Sequence, residues 1–137
     1  SLVGSEMCIR DRDDAVHAVK AARKEGTLPG GGVALAYMAQ SDWQMELNQG
    51  MLTGVEILKN ALVVPFIKIL ENAGLDHESY TLDGWGQGID VTCGCYKDMI
   101  EAGIIDPLLV TKSALNNAIS VATTILSTEC VISNVRE

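Results

Sequence analysis

The longest regular pattern runs from Gln49 to Asn72, where Leu52, Val55, Leu58, Leu62, Phe66, Ile69 and Leu70 return at steps of three and four. That spacing puts them on one face of a helix and predicts a buried stripe. Pro65 falls inside the run. It lacks an N–H and crowds the preceding turn, so a kink or a break is expected near Val64. A second periodic segment follows Asp106-Pro107 and reaches about Ser127, packing through Leu108, Val110, Leu115, Ile119, Ile125 and Leu126 among others. Asp106 is expected to cap it, with Pro107 at the first helical position, where a missing N–H costs nothing. A third helix is expected from Asp13 to about Glu25. Its acids Asp13 and Asp14 lead, Arg23 and Lys24 trail, and Gly26 stops it. That order complements the helix dipole.

Shorter segments fill the gaps. Pro29 and the triplet Gly30-Gly31-Gly32 cannot continue a helix, and Val33 to Ala39 reads as a new one. Ser41 to Asn48 is a polar linker. Residues 75–92 carry Asp83, Gly84, Gly86 and Gly88, which predict an irregular excursion or hairpin. Tyr96 to Ala102 is expected as a short helix ended by Gly103. Cys130 to Val135 alternates and is β-branched, which predicts a terminal strand with no obvious mate. Residues 1–12 show no clean period, and no internal repeat or low-complexity stretch appears. The fold class is mainly α: multihelical, with a small hairpin and a C-terminal strand.

Composition narrows the partners. The 137 residues suit one modest domain or a piece of a larger one. Hydrophobic residues make up 47% and aromatics only 4%, so the core must be aliphatic. Ten Lys and Arg against 18 Asp and Glu leave a net charge of −8, which argues against nucleic acid. It leaves room for a nucleotide, whose phosphates backbone N–H groups and a metal ion can hold. Cys8, Cys93, Cys95 and Cys130 fit no common zinc spacing, and His17 and His77 lie far away. Free thiols in a reducing compartment are the expectation. No uninterrupted apolar run reaches ~18 residues, so no membrane span is expected. The N-terminus offers no apolar signal segment, so no secretory signal is expected, and the expected location is the cytoplasm for a bacterial or phage source and an organelle matrix otherwise.

Three features could carry chemistry, and each has a plain structural alternative. The glycine triplet before a helix lets a ligand approach the backbone, but an ordinary tight turn is the commoner explanation of such a triplet. Asp106 in Gly-Ile-Ile-Asp-Pro is a rigid carboxylate able to accept hydrogen bonds from sugar hydroxyls; helix capping alone would also explain it. Asp14 could orient a water or touch a metal, or simply complement a dipole.

The order of these features closely resembles group I chaperonins, the bacterial GroEL type. The matching stretches are Asp14-Ala15-Val16-His17-Ala18 through Glu25-Gly26, Gly30-Gly31-Gly32-Val33-Ala34-Leu35, and Gly88-Ile89-Asp90. Met99-Ile100-Glu101-Ala102-Gly103-Ile104-Ile105-Asp106-Pro107, Val110-Thr111-Lys112-Ser113-Ala114-Leu115 and Thr128-Glu129-Cys130 complete the series. The likeness spans Asp13 to about Val135.

The resemblance implies that residues 13–25 end an intermediate domain and 26–137 form the C-terminal half of an equatorial ATPase domain. Asp14 would be the catalytic acid that positions the hydrolytic water, close to the metal. Gly31, Gly32 and Ile104 would contact nucleotide, Asp90 with Val91 would lie on the adenine side, and Asp106 would bind the ribose hydroxyls. The family implies ATP, Mg2+ and K+, a homo-oligomeric double ring, and a co-chaperonin and unfolded clients engaged through domains absent here. Many members carry Asn-Ala where this chain has Asp90-Val91. The phosphate-binding loop, the apical domain and the Gly-Met tail have no counterpart in these residues. Residues 1–12 do not match the family, and SLVGSEMCIRDR resembles a translated library or assembly scar on a truncated reading frame. The competing expectation is a non-enzymatic assembly or scaffold module with an equatorial-like fold. A small α/β phosphate-binding enzyme is disfavoured, since it needs alternating strands and helices.

Overall fold

The structure, a computed structural model, describes residues 2–43 and 48–130, with side chains from Arg10 onward. The chain divides into two compact units. One is built from the first and last helices, the other from everything between Thr27 and Asp106.

In the first unit, α1 spans Leu2–Glu25 and α4 spans Leu108–Leu126. The helix therefore does not begin at Asp13: residues 2–12 are already helical, and the first turn of α1 contains no acid. Asp13 and Asp14 sit in mid-helix. The C-terminal end follows expectation, with Arg23 and Lys24 in the last turn and Gly26 beyond it at φ 91°. Gly26 donates from its N–H to the Ala22 carbonyl at 2.8 Å, and its own carbonyl accepts from Leu108 at 3.1 Å. An ion pair between Lys112 and Glu25 at 3.1 Å joins the same ends.

Asp106 does not cap α4. Pro107 holds the N-cap position with extended backbone, and no side chain caps that end. Ile105–Pro107 is instead a short strand, β4, paired with β1 (Thr27–Pro29), and that pairing keeps Asp106 extended. The apolar stripe of α4, expected to pack, contains no buried residue, and Leu126 is 86% exposed. Its partner in this unit, α1, offers only a narrow stripe and leaves its own Val16 and Val19 exposed.

The second unit holds the core. α2 spans Val33–Gln40 and α3 spans Gln49–Asn72. Val33 and Ala36 of α2 meet Phe66 and Leu70 of α3, and Leu82, Ile89 and Met99 close the cluster. Asn48 starts α3 by accepting from the Met51 N–H at 3.0 Å. At its other end Gly74 turns left-handed, and Leu75 donates back to the Leu70 carbonyl at 2.9 Å. Pro65 does not split α3, which runs unbroken. Leu62, Phe66 and Leu70 are buried one turn apart around it, so packing of that face outweighs one lost backbone bond. The rest of the stripe is wet: Leu52, Ile57, Val64 and Ile69 are exposed. By length and composition α3 also meets the measure of a membrane span, with a mean hydropathy of 1.4 over 18 residues. Packing against α2 accounts for Leu62, Phe66 and Leu70 alone, since only 11% of that window is buried.

A single 3-10 turn at His77–Ser79 leads to an antiparallel hairpin of β2 (Gln87–Asp90) and β3 (Cys95–Asp98). The segment Tyr96–Ala102 is therefore strand and turn, not the expected helix. Pairing Ile89 with Tyr96 buries Ile89 and supplies backbone partners that a one-turn helix would lack. The expectation of free thiols also fails for two cysteines. Cys93 and Cys95 are disulfide-bonded, because the turn between β2 and β3 brings their Cα atoms to 5.3 Å. Cys130 is free and exposed. The terminal strand expected over Cys130–Val135 falls, beyond Cys130, outside the described residues.

Candidate functional site

Within the second unit, three of the segments singled out by sequence converge on Met99, which is 1% exposed. Its N–H donates to the Gly86 carbonyl at 2.9 Å and its carbonyl accepts from Ile104 at 2.8 Å. A Cβ at Gly31 would lie 3.0 Å from its terminal methyl, and one at Gly88 2.7 Å from its Cγ. The glycine turn, the strand leading to Asp90, and the Ile104–Asp106 segment thus share one buried side chain.

The triplet sits between β1 and α2. Gly30 donates to the Ile104 carbonyl at 2.9 Å, which fixes the turn against the start of β4. Gly32 is the N-cap of α2 at φ 76°, and a Cβ there would stand 2.7 Å from the Phe66 backbone nitrogen. No side chain fits, so Gly32 is required by the approach of α3. No side-chain hydrogen bond caps that end of α2 either.

Asp90 ends β2 and is buried. Its Oδ2 accepts from Lys97 Nζ at 2.6 Å, and its Oδ1 accepts from the Thr92 N–H at 3.0 Å and the Thr92 hydroxyl. The Lys97 hydrogen bond, followed by those from Thr92, lowers its pKa to about 2. Both oxygens are committed inside the hairpin, so any contact with a base would fall to the backbone or to exposed Val91. Lys97 and Thr92 went unnoticed in the sequence. The signal was there: in the observed register Lys97 faces Gly88, diagonal to Asp90, within reach of a long side chain.

Asp106 lies in β4, two residues past the carbonyl that holds Gly30. Partial burial raises its pKa above the ordinary Asp range. Its carboxylate makes no capping hydrogen bond to α4. Ile104 is half-buried and packs against the core. Asp14 belongs to the other unit, where it is exposed in the middle of α1. The structure therefore joins the glycine turn, Gly88 and Ile104 through Met99, with Asp90 and Val91 following Gly88 in the hairpin and Asp106 following Ile104 in β4, while Asp14 lies on α1 of the other unit. Among the described residues no cluster of three or more His, Cys, Asp or Glu could hold a metal ion. Any Mg2+ here would need ligands from a bound phosphate chain beside a lone carboxylate, which is its common habit.

Helices around a small hairpin, with an extended Gly-Ile-Ile-Asp-Pro segment docked on a glycine turn, define a chaperonin-like fold. A profile of the TCP-1/cpn60 chaperonin family matches residues 6–136. The chain belongs to that family. Among solved structures it is similar to a group III chaperonin in the open state, at 32% identity and a TM-score of 0.72. That match covers 82% of this chain and 25% of the other, so this chain spans about a quarter of its relative's length.

Proposed function

We propose that this chain supplies one wall of the ATP site of a folding chaperonin, with Gly31, Val91, Ile104 and Asp106 facing the nucleoside and Gly32 serving the close approach of α3 to the turn. Asp14 is the acid that orients water for hydrolysis. In this reading residues 13–25 end the intermediate domain and 26–137 form the C-terminal half of the equatorial domain. The subunit is cytoplasmic and assembles as a double ring, with clients and co-chaperonin engaged by domains outside these residues. The group I placement rests on the order of the motifs alone. The solved relative is a group III chaperonin.

The observation that carries the proposal is the state of Asp106. It is extended rather than capping, exposed at the surface with its pKa raised by partial desolvation, and two residues from the Gly30 lock. A carboxylate so placed can accept two hydrogen bonds from a ribose diol. ATP supplies the phosphate chain that a Mg2+ ion requires; the residues here bind the nucleoside and, through Asp14, accept a proton from water.

Calorimetric titration of the full-length subunit with ADP tests the site. Asp106→Ala should weaken binding about tenfold or more, about 1.4 kcal/mol. Asp14→Ala should retain binding and slow hydrolysis severely. Unchanged affinity in the first variant, or unchanged turnover in the second, removes the corresponding role. If ADP does not bind at all while rings still assemble, the scaffold reading takes its place.

A further inference from the structure

The Cys93–Cys95 bridge has no evident structural duty. It encloses one residue, Gly94, so it restrains the unfolded chain far less than a long-range disulfide. The turn it spans is already held by other means. Gly94 and Cys93 both donate to the Asp90 carbonyl, at 2.8 and 3.2 Å, and Thr92 binds the Asp90 carboxylate. Tyr80 fastens the same turn through a hydrogen bond from its hydroxyl to the Gly94 carbonyl at 3.2 Å. Cys93 is exposed and Cys95 half-buried, an arrangement that gives an incoming thiolate access to one sulfur.

We infer that Cys93 and Cys95 form a reversible dithiol–disulfide site whose state sets how tightly the Asp90–Cys95 turn is held. The co-reactant is a small dithiol. Its thiolate attacks the exposed Cys93 sulfur, the sulfur–sulfur bond breaks, and Cys95 leaves as a thiolate that takes up a proton. The second thiol of the reagent then displaces Cys93, closing the reagent into a cyclic disulfide. Two electrons and two protons pass to the protein, and the reagent is oxidised.

The consequence lies at the Asp90 carbonyl. The Cys93 sulfur is 3.5 Å from that oxygen and, once reduced, carries a hydrogen to donate. The oxygen has two lone pairs and already accepts from two backbone N–H groups. A third donor competes with the longer of them, from Cys93 itself, and slackens the turn next to Val91. Since Val91 belongs to the proposed adenine wall, nucleotide affinity should follow the redox state. That last link rests on the ATP reading.

The full chain carrying Cys8→Ser and Cys130→Ser isolates the pair. Under native conditions, dithiothreitol followed by iodoacetamide should add two alkyl groups, and oxidised dithiothreitol should restore the bridge. Amide exchange at residues 91–95 should accelerate about tenfold on reduction, while residues 62–70 stay unchanged. A pair that resists native reduction, or one that reduces with no change in exchange, overturns the inference. ADP affinity, measured in both states of the full-length subunit, separates the two readings. A shift of about threefold or more, absent in Cys93→Ser/Cys95→Ser, supports both. Faster exchange with constant affinity upholds the redox site and removes Val91 from the nucleotide wall.

Discussion

Asp90 owes its lowered pKa to two neighbours from its own hairpin, Lys97 across the sheet and Thr92 in the turn. These hydrogen bonds favour the ionised form and lower the pKa from 3.8 to about 2. A depressed carboxylate stabilises the fold above its unfolded pKa and loses that contribution as pH falls through the folded value. The window is therefore from about pH 4 down to about pH 2. Within it, amide exchange in the hairpin should rise as pH falls, beyond the intrinsic dependence. Asp90→Asn should abolish the titration, and Lys97→Met should move it up toward the ordinary Asp range. If NMR titration places the wild-type carboxyl at the ordinary Asp value, the ion pair does not persist in solution.

The same residue shows why only part of the site was legible in the amino-acid pattern. Asp90 and Asp106 stood out by position in a family-like order, and both lie on the segments that gather round Met99. Their local duties were misjudged. A proline after Asp106 signals a cap, yet pairing of β4 with β1 overrides that signal through contacts some 80 residues apart along the chain. Gly32 looked like a place for a ligand to approach. Its space is taken by the Phe66 backbone, a contact no local pattern reveals.

At the scale of elements, legibility followed length. α2, α3 and α4 were readable because their apolar residues repeat with the helical period over many turns or begin after glycine punctuation. The segment 95–102 was not. One turn of apolar residues reads equally as strand or helix, and only the partner strand β2 decides. Met99 marks the junction where that decision matters, since it fills the gap between Gly31, Gly88 and the helix pair. Met99→Ala should cost about 2–5 kcal/mol in denaturant unfolding, the range for emptying a buried large side chain. Met99→Leu conserves volume and should cost less than about 1.5 kcal/mol. Equal losses in the two variants would mean that the sulfur chain's shape, rather than its volume, holds the three segments.

For the whole molecule, the decisive quantity is apolar surface left in water. α4 buries no residue, and Val121 and Ile125, one turn apart, are 58% and 55% exposed. α3 leaves Ile57 and Val64 in the same condition. Each 100 Å² of such surface covered by another chain is worth about 2.5 kcal/mol before the costs of association. The match to a solved chaperonin involves only a quarter of that chain, so surfaces of this kind are expected where the remainder of a subunit would lie. In isolation these 137 residues should therefore self-associate. Val121→Lys with Ile125→Glu replaces exposed apolar groups by a charged pair at helical spacing, which should reduce association without lowering thermal stability. Sedimentation at increasing concentration, read beside a melting curve, checks both halves. A wild-type chain that stays monomeric at tens of micromolar would show that the exposed stripe is too discontinuous to bind a copy of itself. A variant that melts far earlier would show that α4 is buried in solution after all.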